Sequence, residues 1–548
     1  MSEQAVAKPG CVFPRLQLAY LLQFAIWGSW SIALGGYMLG KMTGKEVGYL
    51  FMAVPIGAIV APMFIGPIAD RFFSAQKMLG VLHLISGAAL VACGVISSHA
   101  EAVAQGGQVT MPFWPIMILM LISGLCYMPS IPLINAVVFK HVPESSKQPG
   151  IFIFGTVGWI LVCLLIEVFA GGAAKPNFFF IGGGCGLVLG LYAFTLPNTP
   201  PKGAPAPGEK RDALGLGALK MFGDMKFTIF VLCAFAVSIF GSNFYFPALV
   251  PYLSENGFPA PVALGTLNQF SELFFMALLA VLVSRIGLKW VLILGMSAWA
   301  ARYAIFSQEG FQFALVGLLL HGMAYAYLYT AAYMFGDKVA PDNLKASVQS
   351  LLAFLLLGVG QVLSGLFYGT QIDNCQAQMT KFPNDVPMAN VSWSAKDAAQ
   401  NPWRFLDLAK SVKYLRGDKS VFDLAQYDLA NFQKDDGTKD DGNKTLDMDA
   451  IDAVGADVVF GATETAKVGK DELKAGLNEV AKMCGKNDAS ELTRNDWLSV
   501  QKHNWKQFFS GKPFFPAYFC LFWVVLFLIF GREPQAADAK KEETNTLS

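Results

Sequence analysis

The sequence predicts an all-α membrane protein of twelve helices, six plus six, with an extra polar and helical domain between helices 11 and 12. Three observations predict it. The 548-residue chain is 54% hydrophobic and 15% charged, with a mean hydropathy of +0.45, more apolar than a water-soluble globule needs. Its apolar residues gather into runs of about twenty, the length that crosses a bilayer as a helix. A polar linker rich in Pro, Gly and charge separates six such runs from six more, as in transporters built from two repeated halves.

The first six runs cover residues 16–38, 47–69, 78–98, 111–138, 149–171 and 176–196. The linker takes 197–227, and the second six runs cover 228–253, 262–284, 288–307, 312–335, 346–370 and 514–531. This divides the chain into an N-terminal half (1–196), the linker, a C-terminal half (228–370 and 514–531), an insert (371–513) and a tail (532–548). Lys and Arg set the orientation, because cytoplasmic loops carry the excess. Arg71 and Lys77 follow span 2, Lys140 and Lys147 follow span 4, and Lys202, Lys210, Arg211 and Lys220 fill the linker. Lys338 and Lys345 follow span 10, and Arg532, Lys540 and Lys541 follow span 12. Lys41, Lys45 and Lys175 run against the pattern without outweighing it. Both termini are expected to be cytoplasmic and the insert to lie on the other side.

The insert holds more than half of the acidic residues, including Asp435-Asp-Gly-Thr-Lys-Asp-Asp-Gly442. That run does not have the spacing of a helix–loop–helix calcium site, and a solvated loop is the simpler reading. Apolar spacing in 403–414, 421–432 and 470–483 predicts helices. Cys375 and Cys484 are its only cysteines, and in an oxidising compartment they are candidates for a disulfide.

A formal net charge of +1 gives no reason to expect nucleic acid as a partner. The five His and nine Cys form no CxxC and no close cluster, so neither a metal nor a cofactor is expected. No nucleophile constellation suggests an enzyme. The informative residue is Glu272, inside the span 262–284. An ionisable group in hydrocarbon costs roughly 2.5–3.5 kcal/mol on the mildest scale, so it should face a cavity or a partner. A carboxyl group out of water favours its neutral form, which makes Glu272 a candidate proton carrier. Gln269, three residues earlier, shares its helical face.

Gly66-Pro-Ile-Ala-Asp70-Arg71, directly after span 2, fits the G-x-x-x-D-R loop of the major facilitator superfamily, where Gly66, Asp70 and Arg71 would form a gating latch. Longer strings follow in order. They are Leu22-Gln-Phe-Ala-Ile-Trp-Gly-Ser-Trp30, Tyr127-Met-Pro-Ser-Ile-Pro-Leu-Ile-Asn135 and Gly155-Thr-Val-Gly-Trp159 in the first half. The second half has Asn268-Gln-Phe-Ser-Glu272, Ala298-Trp-Ala-Ala-Arg302-Tyr and His321-Gly322. Together they resemble the bacterial nucleoside:proton symporters of that superfamily, over every span but not the insert.

The resemblance implies a twelve-helix major facilitator fold in the inner membrane, working as a monomer in the lipid bilayer and importing a nucleoside with protons. It implies that Gln269 and Glu272 bind substrate, joined by Thr156, Trp159, His321 and Tyr325, and more loosely by Asn243. Two places depart from the family: Phe152 stands where an Arg is usual and Ala326 where an Asp is usual. A nucleoside offers a flat base for aromatic faces and hydroxyls for amides or a carboxylate, so the set makes chemical sense by itself. His321 could instead be an interhelical histidine. The competing readings are a transporter or uniporter of a sugar or other small polar metabolite, and a receptor sensing ligand through the insert.

Overall fold

The computed structural model describes residues 9–104, 109–201, 214–308, 310–375, 486–491 and 503–532, with strands and single residues between 412 and 481; side chains are described outside 9–11, 61–72 and the strands. In chain order the helices are α1 (Pro9–Ser31), α2 (Ala33–Met38), α3 (Gly44–Phe72), α4 (Ala75–Val103), α5 (Phe113–His141), α6 (Pro149–Phe169) and α7 (Asn177–Ala193). After the linker come α8 (Met225–Ile239), α9 (Ser242–Glu255), α10 (Pro261–Leu264), α11 (Leu267–Ile286) and α12 (Leu288–Phe306). Then follow α13 (Phe311–Tyr325), α14 (Ala331–Val339), α15 (Lys345–Leu352), α16 (Gly360–Asn374), α17 (Trp505–Ser510) and α18 (Pro516–Phe530). Among the described residues, eight helical stretches are long and apolar enough to cross a membrane.

Local chemistry explains where these helices begin and break. Pro149, Pro261 and Pro516 sit in the first turns of α6, α10 and α18, where a missing N–H costs nothing. The Asp224 carboxylate accepts from Lys226 N at 2.8 Å and caps α8. Two π-helical turns, Ala326–Thr330 and Ala353–Val359, interrupt the paths α13–α14 and α15–α16. Such turns shift side-chain direction and recur at functional sites. The outer faces stay apolar and exposed, with Leu161, Leu165 and Val168 on α6 and Phe522 and Ile529 on α18, as lipid-facing surfaces require.

The membrane helices pack as two groups in one compact unit (1–100, 110–374 and 506–548). In the first group α1 lies on α6 and α7, and α3 on α5; in the second, α12 lies on α13 and α18, and α11 on α13. An aromatic core fills the second group: Phe244 stacks on Phe508 at 4.8 Å, and Tyr303 on Phe509 at 5.8 Å. Gln371 pins α17, its side-chain amide donating to the carbonyls of Gln507 (2.9 Å), Phe508 (3.0 Å) and Gly511 (3.1 Å).

The second unit takes residues 375–505 and 101–109. Cys375 O accepts from Asn504 N at 2.8 Å, so the chain leaves and returns at one point, which lets an insertion be tolerated. Its described residues include an antiparallel sheet of β1 (Val412–Arg416), β2 (Ser420–Asp423), β3 (Val458–Phe460) and β4 (Ala466–Val468), in the order β2-β1-β3-β4. Tyr414 pairs with Phe422, and Val412 with Phe460. Strands therefore stand in two of the stretches whose spacing predicts helices, 403–414 and 421–432. Short apolar runs fit either period, and the β-branched and aromatic residues Val412, Tyr414, Val421 and Phe422 favour the pleated surface. Cys484, Asp435 and the acidic run lie outside the described residues, so the disulfide expected with Cys375 does too.

Candidate functional site

A cavity of ≈ 560 Å³ opens between the two groups of helices. That volume lies within the range of small-molecule sites, about 300–1,000 Å³. One wall comes from α1, α3, α5 and α6, the other from α9, α11, α13 and α16. Thr156, Trp159, Asn243, Gln269, Glu272, His321 and Tyr325, the seven residues expected to bind substrate, all line it.

Helix α11 carries Gln269 and Glu272 on its cavity face, and its seating on α13 is unusually close. A Cβ built on Gly322 would collide with the Ser271 carbonyl and the Glu272 backbone nitrogen, so only glycine lets the two backbones touch here. Ser271 Oγ fixes the register by accepting from Gly322 N at 3.0 Å and donating to Leu319 O. With the backbone clamped, the Glu272 carboxylate and the Gln269 amide reach the cavity with no hydrogen bond to protein, and Glu272 has no ion pair, among the described residues. Polar groups placed in apolar surroundings without partners are costly unless something binds them.

The neighbouring polar groups follow the same rule in part. His321 Nδ1 and Trp159 Nε1 are buried without hydrogen-bond partners among the described residues. The His321 ring is stacked between Tyr245 at 5.9 Å and Tyr325 at 5.8 Å, and makes no hydrogen bond to Glu272 among the described residues. Arg302 is buried behind this wall. Its Nε donates to Gly317 O at 2.8 Å, its Nη2 to Asn268 Oδ1 at 3.3 Å, and its guanidinium lies 3.5 Å over the Tyr245 ring. It braces the helix that presents Gln269.

Asn243 sits at the break between α8 and α9, and sequence reasoning missed the residue that organises it. Gln361 Nε2 donates to Ser238 O at 3.0 Å while its Oε1 accepts from Asn243 N at 3.0 Å. One side-chain amide thus satisfies the Asn243 N–H that the break leaves open and adds a second donor to the Ser238 carbonyl, which also accepts from Gly241 N at 2.9 Å. Asn243 Nδ2 in turn donates to Phe51 O at 2.8 Å, tying the second group to the first. A glutamine in the middle of an apolar span was the available signal. We predict that Gln361→Leu, which orphans the Asn243 N–H, lowers stability by about 1–3 kcal/mol. A shift of the thermal unfolding midpoint in detergent checks it, and an unchanged midpoint would contradict it.

On the opposite wall, Gly158 packs on the Leu21 carbonyl, where a Cβ would not fit, and this brings α6 onto α1. Thr156 and Trp159 then face the cavity, with the Trp159 ring 5.7 Å from Trp27. Phe152 also lines the cavity, against Tyr20 at 5.1 Å, in the place where the family resemblance leads one to expect an Arg. Ala326, where an Asp would be expected, is buried in the π-turn after α13.

The two groups meet at one end through carboxylates. Glu167, from the end of α6, accepts from Val262 N at 2.7 Å and Ala263 N at 3.1 Å in the first turn of α10. Asp373, from the end of α16, accepts from Gly44 N at 2.9 Å at the start of α3. Each group lends a negative charge to a helix start of the other, the favourable polarity for a helix dipole. Gly66, Asp70 and Arg71 fall in the last turns of α3, and their side chains lie outside the described residues. Among the described residues, no three His, Cys, Asp or Glu are placed to hold a metal ion.

A mostly helical membrane protein with a central cavity and unpartnered polar groups on its facing walls has the form of a transporter. The comparisons with known proteins narrow the class. Residues 12–385 match the family model described as "Nucleoside H+ symporter", and the chain belongs to that family. The YegT protein of Escherichia coli is 34% identical over 394 residues, covering 69% of this chain and 88% of that protein. The xanthosine permease of Escherichia coli is 27% identical over 380 residues, covering 66% of this chain and 87% of that protein. A crystal structure of the nucleoside transporter NupG superposes with a TM-score of 0.59 at 22% identity, over 67% of this chain and 92% of that one. A bacterial homolog of the human lysosomal transporter Spinster, inward-facing and occupied, gives 0.55 at 14% identity, over 96% and 100%. The two structures speak for the fold alone.

Proposed function

We propose that this protein imports nucleosides across the inner membrane by proton symport, and that the central cavity is where both ligands meet. The observation that carries the reading is Glu272, a carboxylate on the cavity wall with no hydrogen bond or ion pair among the described residues, beside Gln269, whose side-chain amide likewise has no hydrogen bond among them. Glu272 is read as the proton carrier and, with Gln269, as the group that takes the ribose hydroxyls. Trp159 and Tyr325 supply aromatic faces for the base, and Thr156, Asn243 and His321 supply polar contacts. A protein that binds through its insert and only signals across the membrane has no use for such a cavity.

The reading includes twelve spans in two six-helix halves, both termini cytoplasmic, and residues 371–513 as a separate extracytoplasmic domain. The end joined by Glu167 and Asp373 then faces outward. Alternating access requires both carboxylates to let go. We predict that Glu167→Gln together with Asp373→Asn shifts the population toward the outward-open state. An impermeant maleimide added outside should label a Ser31→Cys site in the cavity several-fold faster than in the parent; equal rates would count against the latch. Uptake of labelled uridine and adenosine by cells lacking other nucleoside permeases tests the whole reading. No uptake of any nucleoside, with a sugar or other metabolite carried instead, would sink it.

A further inference from the structure

We propose that Asn135, oriented by Tyr20, reads the base of the nucleoside from the first wall of the cavity and selects bases that present a carbonyl oxygen. This inference rests on the nucleoside reading above and assigns a specificity residue to it. Both residues line the cavity, Tyr20 from α1 and Asn135 from α5. The Tyr20 hydroxyl donates to Asn135 Oδ1, which settles which end of the amide faces which way. The Asn135 Nδ2 group makes no hydrogen bond among the described residues. A half-buried donor held at a fixed angle with no partner is a binding valence rather than a structural one.

The surroundings say what kind of group it meets. Tyr20 lies 5.9 Å from Phe24, nearly parallel, and 5.1 Å from Phe152, which is edge-on to Phe139 at 6.1 Å. Phe24, Phe139 and Phe152 line the cavity as well. A single oriented donor among aromatic rings suits a flat heterocycle with an acceptor on its edge. The sugar end has its own partners on the opposite wall, where the Glu272 carboxylate accepts hydrogen bonds from the hydroxyls. Inosine and adenosine share the sugar and differ along one edge of the base, a carbonyl beside a protonated ring nitrogen in the first and an amino group beside an unprotonated one in the second. The amide donor fits the carbonyl and opposes the amino group, because two donors then face each other.

Kinetics of the full-length protein in proteoliposomes test this. The parent should favour inosine over adenosine. Asn135→Ala should raise KM for inosine about tenfold, as for one hydrogen bond left unmade, change adenosine less than about twofold, and leave kcat near the parent value. Tyr20→Phe, which keeps the ring and frees the amide to turn, should weaken the preference part of the way. An unchanged inosine-to-adenosine ratio in both variants overturns the inference and leaves the nucleoside reading standing. Equal loss of both nucleosides also overturns it, since that marks a structural role. A parent protein that carries neither nucleoside removes the reading itself, and the inference with it.

Discussion

Glu272→Gln, reconstituted in vesicles, is expected to bind nucleoside but to lose accumulation driven by a pH gradient. The side chain keeps its size and one hydrogen-bonding oxygen while losing the ability to take up and release a proton. A gradient of one pH unit supports about tenfold accumulation for one proton per nucleoside. The parent should approach that ratio, and the variant should stay near unity while still exchanging labelled for unlabelled nucleoside across the membrane. The expectation is sharp because Phe152 and Ala326 take the places where the family resemblance leads one to expect charge. Among the described residues lining the cavity, Glu272 is the one carboxylate. Gradient-driven accumulation retained by the variant would assign coupling elsewhere.

Gly322→Val is expected to abolish transport while leaving every cavity side chain chemically intact. The added carbons cannot be placed beside the Ser271 carbonyl and the Glu272 nitrogen without parting α11 from α13. Overpacking of this kind costs about 1–3 kcal/mol where side chains can yield, and here the obstacle is backbone. The same movement breaks the Ser271–Gly322 hydrogen bond and carries Gln269 and Glu272 out of register. Loss of nucleoside binding in a protein that still elutes as a monodisperse species would show it; parent-like binding would contradict it. Gly322→Ala should give a smaller loss of the same kind.

Much of the site was legible because membrane burial makes polar residues conspicuous. Glu272 and Gln269 stand out in an apolar span by composition alone, and a period of 3.6 places them on one face. What the sequence concealed were groups whose meaning depends on contact across helices. Gln361 looks like any polar residue in span 11 until the α8–α9 break supplies backbone groups for it to satisfy. Asn135 belongs to a string useful for recognising the family, yet its orientation comes from Tyr20, more than a hundred residues away. The partners of Glu167 are backbone amides that no motif encodes. The insert was least legible, because short runs such as Val412–Arg416 fit helix and strand alike, and tertiary pairing decides between them.

The central claim is that one cavity couples nucleoside and proton. It is tested most directly by following labelled uridine into vesicles of the purified full-length protein, with the outside one pH unit more acidic than the inside. The account predicts uptake to about tenfold above the external concentration, collapse to equality on adding a protonophore, and acidification of the lumen in step with uptake. Uridine that equilibrates but never accumulates, with no movement of protons, would contradict it and make the protein a uniporter.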